Sequence, residues 1–380
     1  MVQVYVQCPR WFLRPRNTDW RYTRFFIPRI VEFDKECQFH LSRSFATVAD
    51  VNLRYVEGLI RRRLRLSPPS RHGSILDRDE FERSGCNVVF SHDDFPKNAG
   101  SFPVIWQNSI LDPDMVLAWG KLKEGQLDDE REIKSKGFRA AAAVQVSTVA
   151  ERDRLRRWFP EIADRFIAIP FFLPDVTTID RNLLAAKLKV KGLLRCIFVG
   201  HEARRKGLAR VYDAIKSLPS SLQQRVHLTV ISRHSDGTVQ APSLPNLRVA
   251  AHLPYLETLQ LMRQSDVFVM PSVFESYGLV YLEAMAQGAI PIVPDWEVQR
   301  EIVDYGKAGC VTNGETSNLA AILEKLLDEH DYRANLALNA LQRYERHFAP
   351  KVVADCFSAL FHRFDLPKAS NTRAVESWSV

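Results

Sequence analysis

No apolar run in this chain of 380 residues approaches the ~18 consecutive residues that would mark a membrane-spanning helix. The first residues, MVQVYVQCPRWF, lack the apolar core of a signal peptide, so the expectation is a cytoplasmic protein. There is no Cys-x-x-Cys pair either. The six cysteines, Cys8, Cys37, Cys86, Cys196, Cys310 and Cys356, are dispersed, which argues against a disulfide or zinc framework and for separate thiols in a reducing compartment. No structural metal is expected from that spacing. Internal repeats and low-complexity tracts are also missing, which removes solenoids and biased linkers from consideration. With 46% hydrophobic and 26% charged residues the composition is that of a globular chain, not a disordered one.

What is present is length, basic charge and alternating strand and helix patterns. A chain of 380 residues exceeds the ~250 residues that one hydrophobic core usually serves, so two domains are expected. The formal charge is +7, and the densest basic cluster, LIRRRLRL at 59–66, reads as a solvated helix end with arginines near the negative end of its dipole. Peripheral contact with an anionic membrane face is the alternative and stays open. Nucleic acid is not expected as a partner, because the arginines lack an interleaved stacking pattern.

Short apolar runs followed by helix-starting residues recur in both halves, the pattern of a parallel α/β sheet. In the second half they are Cys196 to Val199, Val226 to Ile231, Leu247 to Ala250, Val267 to Met270, Ile290 to Val293 and Ala308 to Val311. In the first half Val2 to Val6, Val88 to Phe90, Val104 to Trp106, Val144 to Val146 and Phe166 to Ile169 fill the same part less cleanly. The proline-punctuated Ile169 to Pro174 is the expected linker, and helices are expected over Tyr332 to His347 and Pro350 to Phe364.

The most informative stretch is DVFVMPSVFESYGLVYLEAMAQG, from Asp266 to Gly288. Val267 to Met270 reads as a buried strand ended by Pro271 and Ser272, and the apolar spacing from Leu279 to Ala286 reads as a helix. Glu275 then falls in the loop before that helix and Glu283 within it. Unpaired backbone N–H groups at the helix start, together with its dipole, would suit a phosphate between the two carboxylates. Hydroxyls, diphosphate and hydroxyls in that order are the layout of a sugar nucleotide.

Glu275 and Glu283 with seven residues between them, Gly278 after Ser276 and Tyr277, and the run Leu282 to Ala286 resemble the signature of retaining glycosyltransferases of family 4. Upstream, Ile197-Phe198-Val199-Gly200 followed by Lys206-Gly207 is similar to the strand, turn and Lys-Gly that open the donor domain of that family. The resemblance implies the GT-B fold: two Rossmann-like parallel α/β domains facing across a cleft. It implies an N-terminal acceptor-side domain over 1–172, a C-terminal nucleotide-sugar domain over 173–349, a helix over 350–366 crossing back, and a tail over 367–380. The implied activity is transfer of a sugar from a nucleoside diphosphate to a hydroxyl, with retention, the acceptor being a cell-surface glycan or its precursor, and with no cofactor or metal.

By the same resemblance Lys206 neutralises the donor diphosphate, Glu283 accepts hydrogen bonds from ribose, and Glu275 contacts the transferred sugar. Gly200, His201, Arg205, Ser276, Tyr277, Gly278 and Leu279 complete the implied donor site. His92, at the end of VVFSHDDFP, stands where the family often carries a histidine facing the sugar; a hydrogen-bonded strand-end histidine explains it equally, and Asp93 and Asp94 share that alternative. Two departures stand out. The family usually has an arginine where this chain has His201, so His201, Arg204 or Arg205 would have to supply the missing charge. After the first strand, where the family often has glycines, this chain has Gln7-Cys8-Pro9-Arg10-Trp11-Phe12, leaving bulkier groups such as Arg10, Trp11 and Arg14 to shape an acceptor site.

Asp112-Pro113-Asp114 and Asp77-Arg78-Asp79 superficially match an Asp-x-Asp metal motif. Neither follows a donor-binding strand, and Asp112-Pro113 reads as a helix cap with proline in the first position. Two rivals remain: a nucleotide-sugar epimerase on the same fold, and a non-catalytic binding protein in which His201 and the missing glycines mark lost chemistry.

Overall fold

A computed structural model describes residues 2–7, 30, 32–41, 78–92, 95–96, 99–108, 110, 112–120, 124–171, 173, 176–232, 239 and 241–364. Arg10, Trp11, Arg14, the basic segment 59–66, Asp77, Asp93, Asp94 and the tail over 367–380 lie outside the described residues. Among the described residues there are twelve strands: β1 (Val2–Gln7), β2 (Cys37–Leu41), β3 (Val88–His92), β4 (Val104–Gln107), β5 (Ala143–Val146), β6 (Phe166–Ala168), β7 (Leu194–Val199), β8 (Val226–Ile231), β9 (Leu247–Ala250), β10 (Val267–Val269), β11 (Ile290–Pro294) and β12 (Cys310–Thr312). By contacts the chain divides into two units, one of residues 1–107, 140–143 and 354–380, the other of residues 108–139 and 144–353.

In the first unit the strands run in the order β2-β1-β3-β4, and the described pairings are parallel. Val4 stands opposite Val88 and Val89 opposite Val104; all are fully buried, as expected of parallel strands covered on both faces. Phe357 and Phe361, from the helix Pro350–His362, meet the ring of Phe90 edge-on at 6.0 and 5.6 Å, and Phe361 meets Phe39 at 5.5 Å. Strand β2 is an addition to the sequence expectation. Its five residues alternate only weakly, with Cys37 buried and Gln38 exposed, so its pattern was too short and too polar to stand out.

In the second unit β5 and β6 pair in parallel, and a six-stranded sheet has the order β12-β11-β10-β7-β8-β9. Its strands are the six runs expected from the sequence, with ends shifted by a few residues. The described pairings in it are parallel. The core is built of Ile197, Phe198, Phe268, Val269, Ile290 and Ile292 on the strands, and of Val211, Ile215, Leu282 and Met285 on the helices that cover them, all nearly or wholly buried. The order places β7 beside β10. Consequently the turns leaving the C-terminal ends of these two neighbours emerge side by side, the position where open α/β sheets bind ligands. The long helix expected over Tyr332 to His347 is a helix His330–Arg343 followed by a π turn Tyr344–Phe348. Among the described residues no helix is long and apolar enough to cross a membrane, and the described cysteines form no disulfide.

Candidate active site

The turn after β7 carries the first half of the site. Gly200 N–H donates to Ile231 O at 3.0 Å, which holds the turn in register with β8. A Cβ on Gly200 would lie 3.0 Å from Cγ of Lys206, so the missing side chain is what lets the lysine stem cross over the strand end. Gly207 has φ +79°, and a Cβ there would collide with Pro271 O at 2.2 Å. This is the close approach that joins the two turns, and only glycine allows it. Arg205 O accepts from Val273 N–H at 2.8 Å, adding a second tie.

The second half follows β10. Glu275 lies in the loop, 7% exposed, with Ser276 exposed and Tyr277 buried. The helix Leu279–Ala286 begins at Gly278, which has φ +90° and supplies no side-chain cap. A Cβ on Gly278 would meet the Tyr281 ring at 2.5 Å. Tyr281 donates its hydroxyl to Met270 O at 2.8 Å, tying the helix back to the end of β10. The contrast with the helix Val149–Trp158 is informative: there Glu301 already accepts from the first amides, Val149 N–H at 2.8 Å and Ala150 N–H at 2.7 Å. At Leu279 no side chain of the described residues fills that role.

The structure brings Lys206, Arg205 and Glu275 together. Lys206 Nζ pairs directly with Glu275 Oε2, and Arg205 Nη1 stands 3.8 Å from the same oxygen. Arg205 is held in place by Glu202, at 2.7 Å from Nε, and by Phe274 O, at 2.8 Å from Nη1. Burial pushes the Lys206 ammonium below its ordinary value, and the adjacent Glu275 carboxylate opposes that shift. Glu283, on the helix, accepts a hydrogen bond from Tyr255 Oη at 3.0 Å. The two carboxylates are therefore engaged at different places, one with cations and one with a phenol.

Other expected residues are placed differently. His201 is exposed and its ring lies 6.4 Å from that of His252; Arg204 is exposed, so Arg205 is the arginine that accompanies Lys206. His92 is the last residue of β3, in the first unit, and its side chain lies outside the described residues. Asp112 is a helix cap: it accepts from Asp114 N–H at 2.9 Å and Met115 N–H at 3.4 Å, with Pro113 in the first turn.

Sequence reasoning missed the supports. Gln299, fully buried on the helix Glu297–Ile302, donates from Nε2 to Glu275 O at 3.1 Å and to Tyr277 O at 2.9 Å, pinning the loop on both sides of Ser276. Met115 accepts from Glu275 N–H through Sδ at 3.4 Å. A lone glutamine in EVQREI carries no periodic signal, and only the fold reveals what it holds. Tyr255, which opens the helix Tyr255–Gln264, was likewise unreadable as a partner of Glu283.

Residues 180–343 match the family model described as glycosyl transferases group 1. The chain is 26% identical over 209 residues to a phosphatidyl-myo-inositol mannosyltransferase of Mycolicibacterium smegmatis, covering 53% of either protein. It is 30% identical over 207 residues to a glycogen synthase of Mycobacterium tuberculosis, covering 50% of this chain and 49% of that one. These matches span about half the length of the curated relatives. Among solved structures, WaaG, a glycosyltransferase involved in lipopolysaccharide biosynthesis, superposes with TM-score 0.59 at 15% identity over 93% of this chain and 99% of that one. Anabaena Alr3699/HepE in complex with UDP does so with TM-score 0.60 at 14% identity over 96% and 100%. The fold is GT-B. Within this GT-B chain the segment that matches the family model contains Lys206, Glu275, Glu283, Tyr255 and Gln299, and leaves out His92.

Proposed function

We propose that this chain is a retaining glycosyltransferase of family 4, which moves a sugar from a nucleoside diphosphate to a hydroxyl of a glycan or glycan precursor without a metal ion. The observation that carries the reading is the part-buried pair of Lys206 and Glu275 beside a helix start that lacks a side-chain cap. An ammonium held at a helix N-terminus is a receptor for phosphate oxygens. In the proposed complex the diphosphate takes the place of Glu275 at Lys206 and Arg205. Glu275 is then free to accept from hydroxyls of the transferred sugar, and Glu283 accepts from the ribose, oriented by Tyr255. Support for a nucleotide donor also comes from the relatives, one a mannosyltransferase, and from a structural neighbour that binds UDP.

Retention follows from a front-face reaction. The bond between the anomeric carbon and the phosphate oxygen breaks, the acceptor oxygen bonds to that carbon on the same face, and the acceptor proton passes to the departing phosphate. The protein's part is to position the reactants and stabilise the charge that develops on the leaving group. A place at the inner face of the membrane, through the basic segment 59–66, is part of the proposal where the acceptor is membrane-bound.

A thermal-shift panel of UDP, GDP and ADP sugars tests the donor site, because a ligand that binds the folded state raises the melting temperature by mass action. One nucleotide class is expected to stabilise the protein, and to do so much less in Glu283→Ala. Failure of every class to shift the transition would overturn the reading.

A further inference from the structure

A second cluster lies in the first unit, and nothing in the proposed transfer uses its residues. Asp34, Cys37 and His362 direct Oδ2, Sγ and Nε2 toward one point, all within 4.8 Å of one another. Cys37 is the first residue of β2 and Asp34 precedes it across a two-residue turn; His362 is the last residue of the helix Pro350–His362. The three separations are 3.0 Å for Oδ2 to Nε2, 3.2 Å for Oδ2 to Sγ and 4.0 Å for Sγ to Nε2. A tetrahedral zinc ion, about 2.3 Å from sulfur and about 2.0–2.1 Å from nitrogen and oxygen, sets its ligand atoms roughly 3.3–3.6 Å apart. A small adjustment of one side chain would seat the ion.

Hydrogen bonding alone explains the cluster poorly. Oδ2 of Asp34 faces three groups at once, the Ser358 hydroxyl, the Cys37 thiol and the His362 ring, whereas one carboxylate oxygen offers two lone pairs. Oδ1 is meanwhile occupied by Glu36 N–H at 2.9 Å, which fixes the carboxylate with Oδ2 turned inward. Cys37 is 1% exposed, so its sulfur is shielded, while the side chains of Asp34 and His362 are 16% and 32% exposed and leave a way in from solvent. The C-terminal end of the helix adds a favourable negative dipole at His362.

We propose that Asp34, Cys37 and His362 bind one zinc ion, with a water in the fourth position, and that the ion fastens β2 to the end of the last helix across 325 residues of sequence. A thiolate, an imidazole and a carboxylate together select zinc over magnesium or calcium. Binding replaces the thiol proton of Cys37 with the metal and releases that proton to solvent. The site shares no residue with the proposed donor site and departs from the expectation of no structural metal. That expectation rested on cysteine spacing, which cannot register ligands drawn from opposite ends of the chain.

The test is a cobalt titration of the untagged, reduced, chelator-stripped full chain. One equivalent of Co²⁺ is expected to give visible bands of tetrahedral cobalt and a near-ultraviolet thiolate-to-cobalt band, both displaced by Zn²⁺, and Zn²⁺ is expected to raise the melting temperature. Cys37→Ser should lose the thiolate band. His362→Gln, which can keep a hydrogen bond to Asp34, should bind at least roughly tenfold more weakly while folding normally, so it decides the matter should Cys37→Ser fail to fold. Absence of the thiolate band in the parent protein, its persistence in Cys37→Ser, or unchanged affinity in His362→Gln would overturn the site.

Discussion

Lys206 bears the largest share of the proposed chemistry, since its ammonium pairs directly with Glu275 in a part-buried position. Lys206→Ala is expected to lower turnover by a factor corresponding to ~3–4 kcal/mol, the size of a lost charge-stabilising donor, read as nucleotide release from the preferred donor. Glu275→Ala should mainly reduce kcat, because the carboxylate meets the reacting sugar. Glu283→Ala should mainly weaken nucleotide binding, because ribose is held alike in the ground and transition states. Tyr255→Phe should reproduce part of the Glu283 effect through the lost 3.0 Å hydrogen bond; equal affinity in that variant would mean that Tyr255 does not orient the carboxylate. A separate expectation concerns Glu151. Burial pushes its carboxyl up to about 7 from 4.5, against the opposing pull of Arg154 and the hydrogen bonds from Ser147, with Glu297 adding to the rise. The folded protein therefore keeps a proton that the unfolded chain has released. The stability this contributes is full below about pH 4.5 and is lost as pH rises through about 7. Denaturant unfolding of Glu151→Gln across that window should show this fall removed; an unchanged pH profile would contradict it.

At the scale of elements, the site depends on two turns that touch through glycine. Gly278→Ala would drive a Cβ into the Tyr281 ring and force a left-handed φ on alanine. We expect a lower melting temperature and loss of nucleotide binding, whereas a wild-type nucleotide affinity would show that the helix start is not used. Gln299→Leu should leave the carbonyls of Glu275 and Tyr277 without their donor, at about 1–3 kcal/mol in stability, and should reduce turnover more than that loss alone explains. The elements themselves were largely legible. The runs from Cys196 to Val311 alternate with helices clearly enough that all six strands of the second sheet follow from hydrophobic pattern, and Glu275, Gly278 and Glu283 fall where the spacing put them. What escaped was whatever depends on tertiary partners. Strand β2 is short and half polar, the π turn after Arg343 leaves no periodic mark, and Gln299, Tyr255 and Met115 become supports only when distant segments meet. The choice between Arg204 and Arg205 was open for the same reason, since adjacent arginines in HEARRK differ only in which way the turn points them.

For the whole molecule, the proposed chemistry stabilises the leaving diphosphate through fixed cations and needs no metal ion. Chelation is therefore expected to leave transfer intact when activity is assayed well below the melting temperature, even if removing a zinc ion at Asp34, Cys37 and His362 lowers that temperature. Activity lost to EDTA, restored by manganese and abolished in Asp112→Ala or Asp114→Ala, would instead move the active site to a segment that the structure shows as a helix cap. The basic charge of +7 makes a further expectation at this scale: if the cluster 59–66 meets a membrane, vesicles with anionic lipid should retain the protein and salt should release it. Equal partition to neutral vesicles would remove that role. The most direct test of the central claim is single-turnover nucleotide release from the best-binding donor in the parent protein, Lys206→Ala and Glu275→Ala. The account expects the release rate to fall by about two to three orders of magnitude in Lys206→Ala and to fall in Glu275→Ala with donor affinity largely kept. Parent-like rates in both variants would contradict it.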